Sequence, residues 1–162
     1  MQTLYPLADR IAARLIARKE SIAVCESSTA GLLSAALLSV PGASAYFVGG
    51  VVTYTYTSRE ALLGITDADM KRLNLRSSSE PYASYAAERV RDKHKATWGF
   101  AETGAAGPTG NRYGDPAGHT SIAIVGPHKH SFSIKTAKSD RRENMILFAE
   151  AALKALAETL EK

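Results

Sequence analysis

A single cysteine, Cys25, among 162 residues excludes an internal disulfide framework and any metal cage built from cysteines alone. It makes a reducing cytoplasm the default compartment. No apolar run is long enough to cross a bilayer, so no membrane association is expected. The opening "MQTLYPLADRIAARLIARKE" is broken by charges every few residues, and a secretory leader is not expected. Neither sign of charge dominates: 20 Lys and Arg stand against 16 Asp and Glu, a net charge of +4. The basic residues are scattered, and the short clusters at 89–95 and 138–142 fall on expected helices, where a solvated face explains them. Nucleic acid therefore receives little weight as a partner, and a modest positive field suits a small phosphorylated ligand equally well.

Several chemical signatures are missing too. There is no Gly-Lys-Ser/Thr of a phosphate-binding loop, no Gly-x-Gly-x-x-Gly, and no helical pair of histidines for zinc. His94, His119, His128 and His130 each lack a neighbouring ligand set, so no metal site is expected. Internal repeats and low-complexity tracts are absent.

What remains is the composition of an ordinary globular chain, 45% hydrophobic and 22% charged, expected to form one domain over residues 1–162. Leu4, Leu7, Ile11 and Leu15 make one apolar stripe and predict a helix over 4–19. "SIAVCE" (21–26) predicts a buried strand, and "TAGLLSAALLSV" (29–40) a helix stopped by Pro41-Gly42. "GGVVTYTYT" (49–57) predicts a strand from its β-branched and aromatic residues. Short helices are expected at 58–65 and at 66–75, the second capped by Thr66 or Asp67. A longer helix is expected over 79–96, with Pro81 in its first turn. Further strands follow at 97–103, near 119–126 and at 130–137, and a closing helix starts at Ser139 or Asp140. The order predicts an α/β fold: a single-domain three-layer sandwich, a mixed sheet with helices on both faces. The Gly-rich stretch 104–118 is long for a loop inside a compact domain and reads as functional.

Two features point to a ligand. Glu26, Ser27, Ser28 and Thr29 stand at a strand-to-helix junction, where α/β sheets bind ligands and helix starts offer N–H groups to anions. Capping explains one hydroxyl there, worth about 1 kcal/mol, but three less well. The second feature is the Gly-rich loop, which also follows a strand. Together they predict a small-molecule pocket without naming a reaction.

The motifs carry more than that. "ESSTAGLLSAALLSVPGASAYFVGGVVTYT", "ALLGI" (61–65), "SSSEPYASYAA" (77–87), "ETGAAGPTG" (102–110) and "SDRR" (139–142) together resemble, in order, the CinA C-terminal domain family, named for competence and DNA damage. The resemblance implies a nicotinamide-nucleotide amidase, which converts nicotinamide mononucleotide to nicotinate mononucleotide and ammonia with no metal or cofactor, and it implies a cytoplasmic homo-oligomer. Residue by residue, it puts the nucleophile on Ser27, a catalytic tyrosine on Tyr54, a supporting hydroxyl on Thr103, and a phosphate partner on Arg141. Ser28, Thr29, Gly31, Gly104, Ala105 and Gly107 become candidate substrate-binding positions, through backbone N–H groups or small size.

One position departs from the family. Where its pattern has a lysine, this chain has Arg59, which cannot serve as a general base because it does not lose its proton. Loss of such a base costs about 10²- to 10⁴-fold in rate. Arg59 either leaves a pyridine-nucleotide-binding module without amidase activity, or favours a phenolate at Tyr54 that deprotonates Ser27. Ala30 stands where the family has glycine, and Tyr56 where it often has asparagine. A nucleic-acid accessory role is the third and weakest reading.

Overall fold

Along the first strand, alternate side chains go to opposite faces, and each face finds its own helices. The computed structural model describes residues 1–162. The elements run α1 (Tyr5–Arg18), β1 (Ile22–Glu26), α2 (Leu32–Leu38), β2 (Phe47–Val52), α3 (Tyr56–Leu63), α4 (Asp67–Arg72), α5 (Glu80–His94), β3 (Trp98–Ala105), β4 (His119–Val125), β5 (Lys129–Lys135) and α6 (Arg141–Thr159). The sheet order is β2-β1-β3-β4-β5. β1 is parallel to both β2 and β3, whereas β4 and β5 are antiparallel additions.

Ile22 and Val24 of β1, with Phe100, Ile122 and Ile124, pack under α1, α2 and α6 through Ile11, Leu33, Leu37, Leu153 and Leu156. Ala23 and Cys25, with Ala101 and Ala123, face the other way, under α5 and the residues around α3 and α4. Small residues on that face let α5 approach closely. A Cβ on Gly99 would lie 1.9 Å from the Ala87 carbonyl oxygen, so only glycine fits there. The result is the expected mixed sheet between two helical layers.

Local chemistry shifts several expected boundaries. The strand expected over 49–57 ends at Val52, because Thr55 caps α3 in a reciprocal pair with Ser58. The same cap starts that helix at Tyr56 rather than 58. The helix expected from Thr29 begins only at Leu32, because Ala30 (φ +52°) and Gly31 (φ +99°) are left-handed and cannot continue a helix. Thr66 and Asp140 cap α4 and α6 as expected. β3 runs two residues into the Gly-rich stretch, so Gly104 and Ala105 are strand residues paired with Thr120 and His119.

Parallel pairing decides where the chain can do chemistry. β2, β1 and β3 all end at one edge of the sheet and release Thr53, Ser27 and Ala106 there side by side. The start of β4 and the first turns of α3, α5 and α6 close around the same edge, the usual place for a ligand in such a sheet.

Candidate active site

At that edge lies a cavity of about 500 Å³, open to solvent. Ser27, Tyr54, Arg59 and Thr103 all line it, and so do Ser28, Gly104, Ala105, Gly107 and Arg141. Thr29 and Gly31 do not, for a reason found in two buried carboxylates.

Glu26, the last residue of β1, is fully buried and turns under the start of α2. Its carboxylate accepts from the N–H groups of Gly31 (2.9 Å), Leu33 (3.0 Å) and Ser34 (2.8 Å), and from the Ser34 hydroxyl (2.6 Å). Glu102 in β3, 1% exposed, accepts from the N–H groups of Ser27 (3.2 Å) and Thr29 (2.9 Å) and from the hydroxyls of Ser28 and Thr120. The Thr29 hydroxyl lies between the two acids, 2.9 Å from Glu26 and 3.0 Å from Glu102. The donors expected to meet an anionic ligand are therefore already used by the protein's own carboxylates. Buried acids of this kind hold their place only when their oxygens are surrounded by donors.

What this leaves free is specific. The Ala30 N–H donates to the Ser27 carbonyl and the Leu32 N–H to that of Thr29, so Ser28 has the one N–H in the turn from 27 to 33 with no partner. Ser28 has its hydroxyl bound to Glu102, whereas the Ser27 hydroxyl makes no hydrogen bond and borders the cavity. Across the cavity, the N–H groups of Ala106 and Gly107 likewise donate to no protein group. Unpaired N–H groups lining one cavity with a free hydroxyl are the donor type that can stabilise a tetrahedral oxyanion.

The cavity lining contains no acidic side chain and three arginines. Arg59 is 3% exposed, and its Nε donates to the Ile65 carbonyl at 3.0 Å while Nη2 pairs with Asp67 at 2.5 Å. Its charge lies 5.1 Å from the centre of the Tyr56 ring. The guanidinium that meets Tyr54 belongs to Arg141: Nη2 donates to the phenol oxygen at 3.3 Å and Nη1 to the Gly107 carbonyl at 3.0 Å. Arg112 stacks over Tyr56 at 5.4 Å and makes no hydrogen bond or ion pair. Tyr56 in turn shares a hydrogen bond with Tyr113 at 2.7 Å, which together with partial burial raises the Tyr56 phenol above its ordinary value.

Burial pushes the phenol of Tyr82, in the cavity wall, well above its usual range and the thiol of Cys25, behind it, up to about 12. Neither is a nucleophile at neutral pH. Ser78, left-handed at φ +58°, is held by its N–H on the Thr103 hydroxyl (3.3 Å) and by its carbonyl on His119 Nε2 (2.9 Å). That carbonyl requires the hydrogen of His119 to sit on Nε2. Thr103 thus shapes the wall rather than standing free. The Gly-rich loop is tied down by Asp115, which accepts from Arg76 (2.6 and 3.1 Å) and Asn111 (2.9 Å).

The sequence pointed to Glu26 at the junction but not to Arg112, Tyr113 or the buried Glu102. "GNRYGD" offered Arg112 and Tyr113, since a cation and an aromatic in a functional loop are ligand-binding types. Glu102 carries no local signal, because its partners lie 18 to 75 residues away in sequence, whereas those of Glu26 are three to eight residues on. No group of His, Cys, Asp and Glu is placed to hold a metal, and no helix is long and apolar enough to cross a membrane.

The profile of a family described as the CinA C-terminal domain matches residues 4–160. A CinA-like protein of Anaeromyxobacter sp. (strain Fw109-5) is 43% identical over 117 residues, which is 72% of this chain and 28% of that protein. Another, from Anaeromyxobacter dehalogenans (strain 2CP-1 / ATCC BAA-258), is 38% identical over 135 residues, covering 83% of this chain and 33% of that protein. The chain thus spans only 28% and 33% of the length of these relatives. The crystal structure of a competence-damaged protein (CinA) superfamily member from Klebsiella pneumoniae 700603 superposes with a TM-score of 0.88 over 98% of each chain, at 27% identity. The competence/damage inducible protein CihA of Agrobacterium tumefaciens gives 0.86 over 99% of this chain and 96% of its own, at 25% identity.

Proposed function

The chain belongs to the CinA C-terminal domain family, and from that premise we propose that it hydrolyses the carboxamide of nicotinamide mononucleotide to nicotinate mononucleotide and ammonia. The observation that carries this reading is the free Ser27 hydroxyl, in one cavity with Tyr54 and with the unpaired N–H groups of Ser28, Ala106 and Gly107. Ser27 Oγ attacks the carboxamide carbon and gives its proton to Tyr54, which enters the step as the phenolate, and the developing oxyanion takes the unpaired N–H groups. Tyr54 returns the proton to the amide nitrogen, ammonia leaves, and water cleaves the resulting ester to release the acid and regenerate the serine.

The charge distribution supports a ligand of this kind. Nicotinamide mononucleotide carries a cationic ring at one end and a phosphate at the other. Buried Glu26 and Glu102 lie directly under the Ser27 turn and favour positive charge there. Arg112, the guanidinium with no committed partner, offers the far side to phosphate. In this reading the enzyme is cytoplasmic, needs no cofactor and self-associates.

The test is ammonia release. Purified protein with nicotinamide mononucleotide gives ammonia and nicotinate mononucleotide, and Ser27→Ala abolishes both. Protein that binds the nucleotide but releases nothing over hours removes the hydrolase reading. That outcome would leave a binding module, which the commitment of Arg59 to Ile65 and Asp67 favours as the second reading.

A further inference from the structure

Arg141 reads from sequence as a phosphate partner, yet its guanidinium is engaged inside the site. It is the first residue of α6, where a positive charge is unfavourable against the helix dipole unless something negative or dipolar faces it. Two groups do so: the Gly107 carbonyl and the Tyr54 phenol oxygen. The helix start is fixed just as firmly. One turn on, fully buried Asn144 donates to the Ala106 carbonyl (2.7 Å) and the Lys138 carbonyl (3.0 Å), and accepts from the Thr136 hydroxyl (2.5 Å). Arg141 and Asn144 thus grip the carbonyls of successive residues, Gly107 and Ala106, whose N–H groups remain unpaired.

Tyr54 has no comparable support of its own. It sits in the extended link between β2 and α3, 60% exposed, and its phenol makes one hydrogen bond, to Arg141. The same guanidinium lies 5.7 Å from the ring centre. A side chain that exposed has several open rotamers, and catalysis needs one of them.

We propose that Arg141 is the positioning residue for Tyr54, joining it to the Gly107 loop so that phenol and unpaired N–H groups keep one geometry about the substrate carbonyl. The assignment rests on the amidase reading. A donor on the phenol oxygen also puts positive charge beside the phenolate that takes the Ser27 proton.

Two substrates separate positioning from phosphate binding: nicotinamide mononucleotide and nicotinamide riboside, which lacks the phosphate. Arg141→Ala lowers kcat about 10²-fold on both, with KM within about 3-fold, the size expected for a misplaced catalytic group. Arg141→Lys, able to reach one of the two acceptors, recovers part of that loss. Arg112→Ala raises KM for the nucleotide alone. A rise in KM for the nucleotide with the riboside unaffected, on Arg141→Ala, would overturn the assignment and return Arg141 to the phosphate. Should the parent hydrolyse neither compound, the amidase reading fails and the positioning role is read by ¹³Cζ-tyrosine NMR, with the Tyr54 signal identified by Tyr54→Phe. That signal moves on Arg141→Ala and stays on Arg112→Ala; a signal unmoved by Arg141→Ala sinks the proposal.

Discussion

Arg59 and Asp67 form an ion pair of 2.5 Å in which the guanidinium is 4% exposed and the carboxylate 73%. The exposed acid keeps the pair wet and its Coulombic contribution small. The Nε bond to the Ile65 carbonyl is buried and counts for more, because it closes the turn from α3 into α4.

Arg59→Lys therefore loses the Ile65 bond and keeps the pairing with Asp67. Stability falls by about 1 kcal/mol in urea unfolding. With Tyr54 as base, turnover of nicotinamide mononucleotide changes by less than about 3-fold. A gain of about 10²-fold or more would mean that a lysine at this position restores a missing base.

Glu102 accepts from five donor groups on Ser27, Ser28, Thr29 and Thr120. Glu102→Gln turns an amide N–H₂ toward some of them and leaves buried donors facing each other. The expected cost is about 3 kcal/mol, read as a drop of about 10 °C in Tm. Ammonia release falls with it, since this carboxylate holds the backbone of the nucleophile turn. A variant of unchanged Tm and activity would mean that the turn is held by something else.

Ala30 occupies a left-handed conformation at φ +52° and is exposed, so its methyl group is strained and packs against little. Ala30→Gly removes that strain and raises stability by up to about 1 kcal/mol, offset in part by the greater freedom of glycine in the unfolded chain. Gly31→Ala, at φ +99°, lowers it. Thermal unfolding of the two variants beside the parent should bracket the parent Tm.

Burial alone would raise the Asp115 carboxyl, but the hydrogen bonds from Arg76 and Asn111, with nearby His119, hold it below the usual carboxylate range. Its folded value lies below its unfolded one, about 3.9. The unfolded chain therefore takes up the proton first on acidification. The contribution of Asp115 is complete above that unfolded value and is lost as pH falls through the lowered folded one. Asp115→Asn should be less stable than the parent at pH 7, and the gap should narrow below about pH 4. A gap independent of pH between 7 and 3 would contradict the pairing with Arg76.

Much of this molecule is legible in its primary structure. Alternation in β1, the stripe of Leu4, Ile11 and Leu15, and the caps at Thr66 and Asp140 are local patterns, and local dihedral and burial preferences were enough to produce an α/β sandwich with Ser27 at a strand end. Boundaries slipped where a side chain reached outside its own segment, as at the start of α2, where the Glu26 carboxylate and two left-handed residues delay the helix to Leu32.

The chemistry of the site is decided by tertiary contacts. That Ser28 is bound and Ser27 free depends on Glu102, 74 residues from Ser28 in sequence. That Arg141 rather than Arg59 meets Tyr54 depends on the docking of α6, whose Arg141 is 87 residues from Tyr54 in sequence. Residue order assigns each side chain its charge and its donors. Which donors are already used follows from strands β1 and β3 lying side by side, and such pairing leaves no trace in the spacing of neighbouring residues.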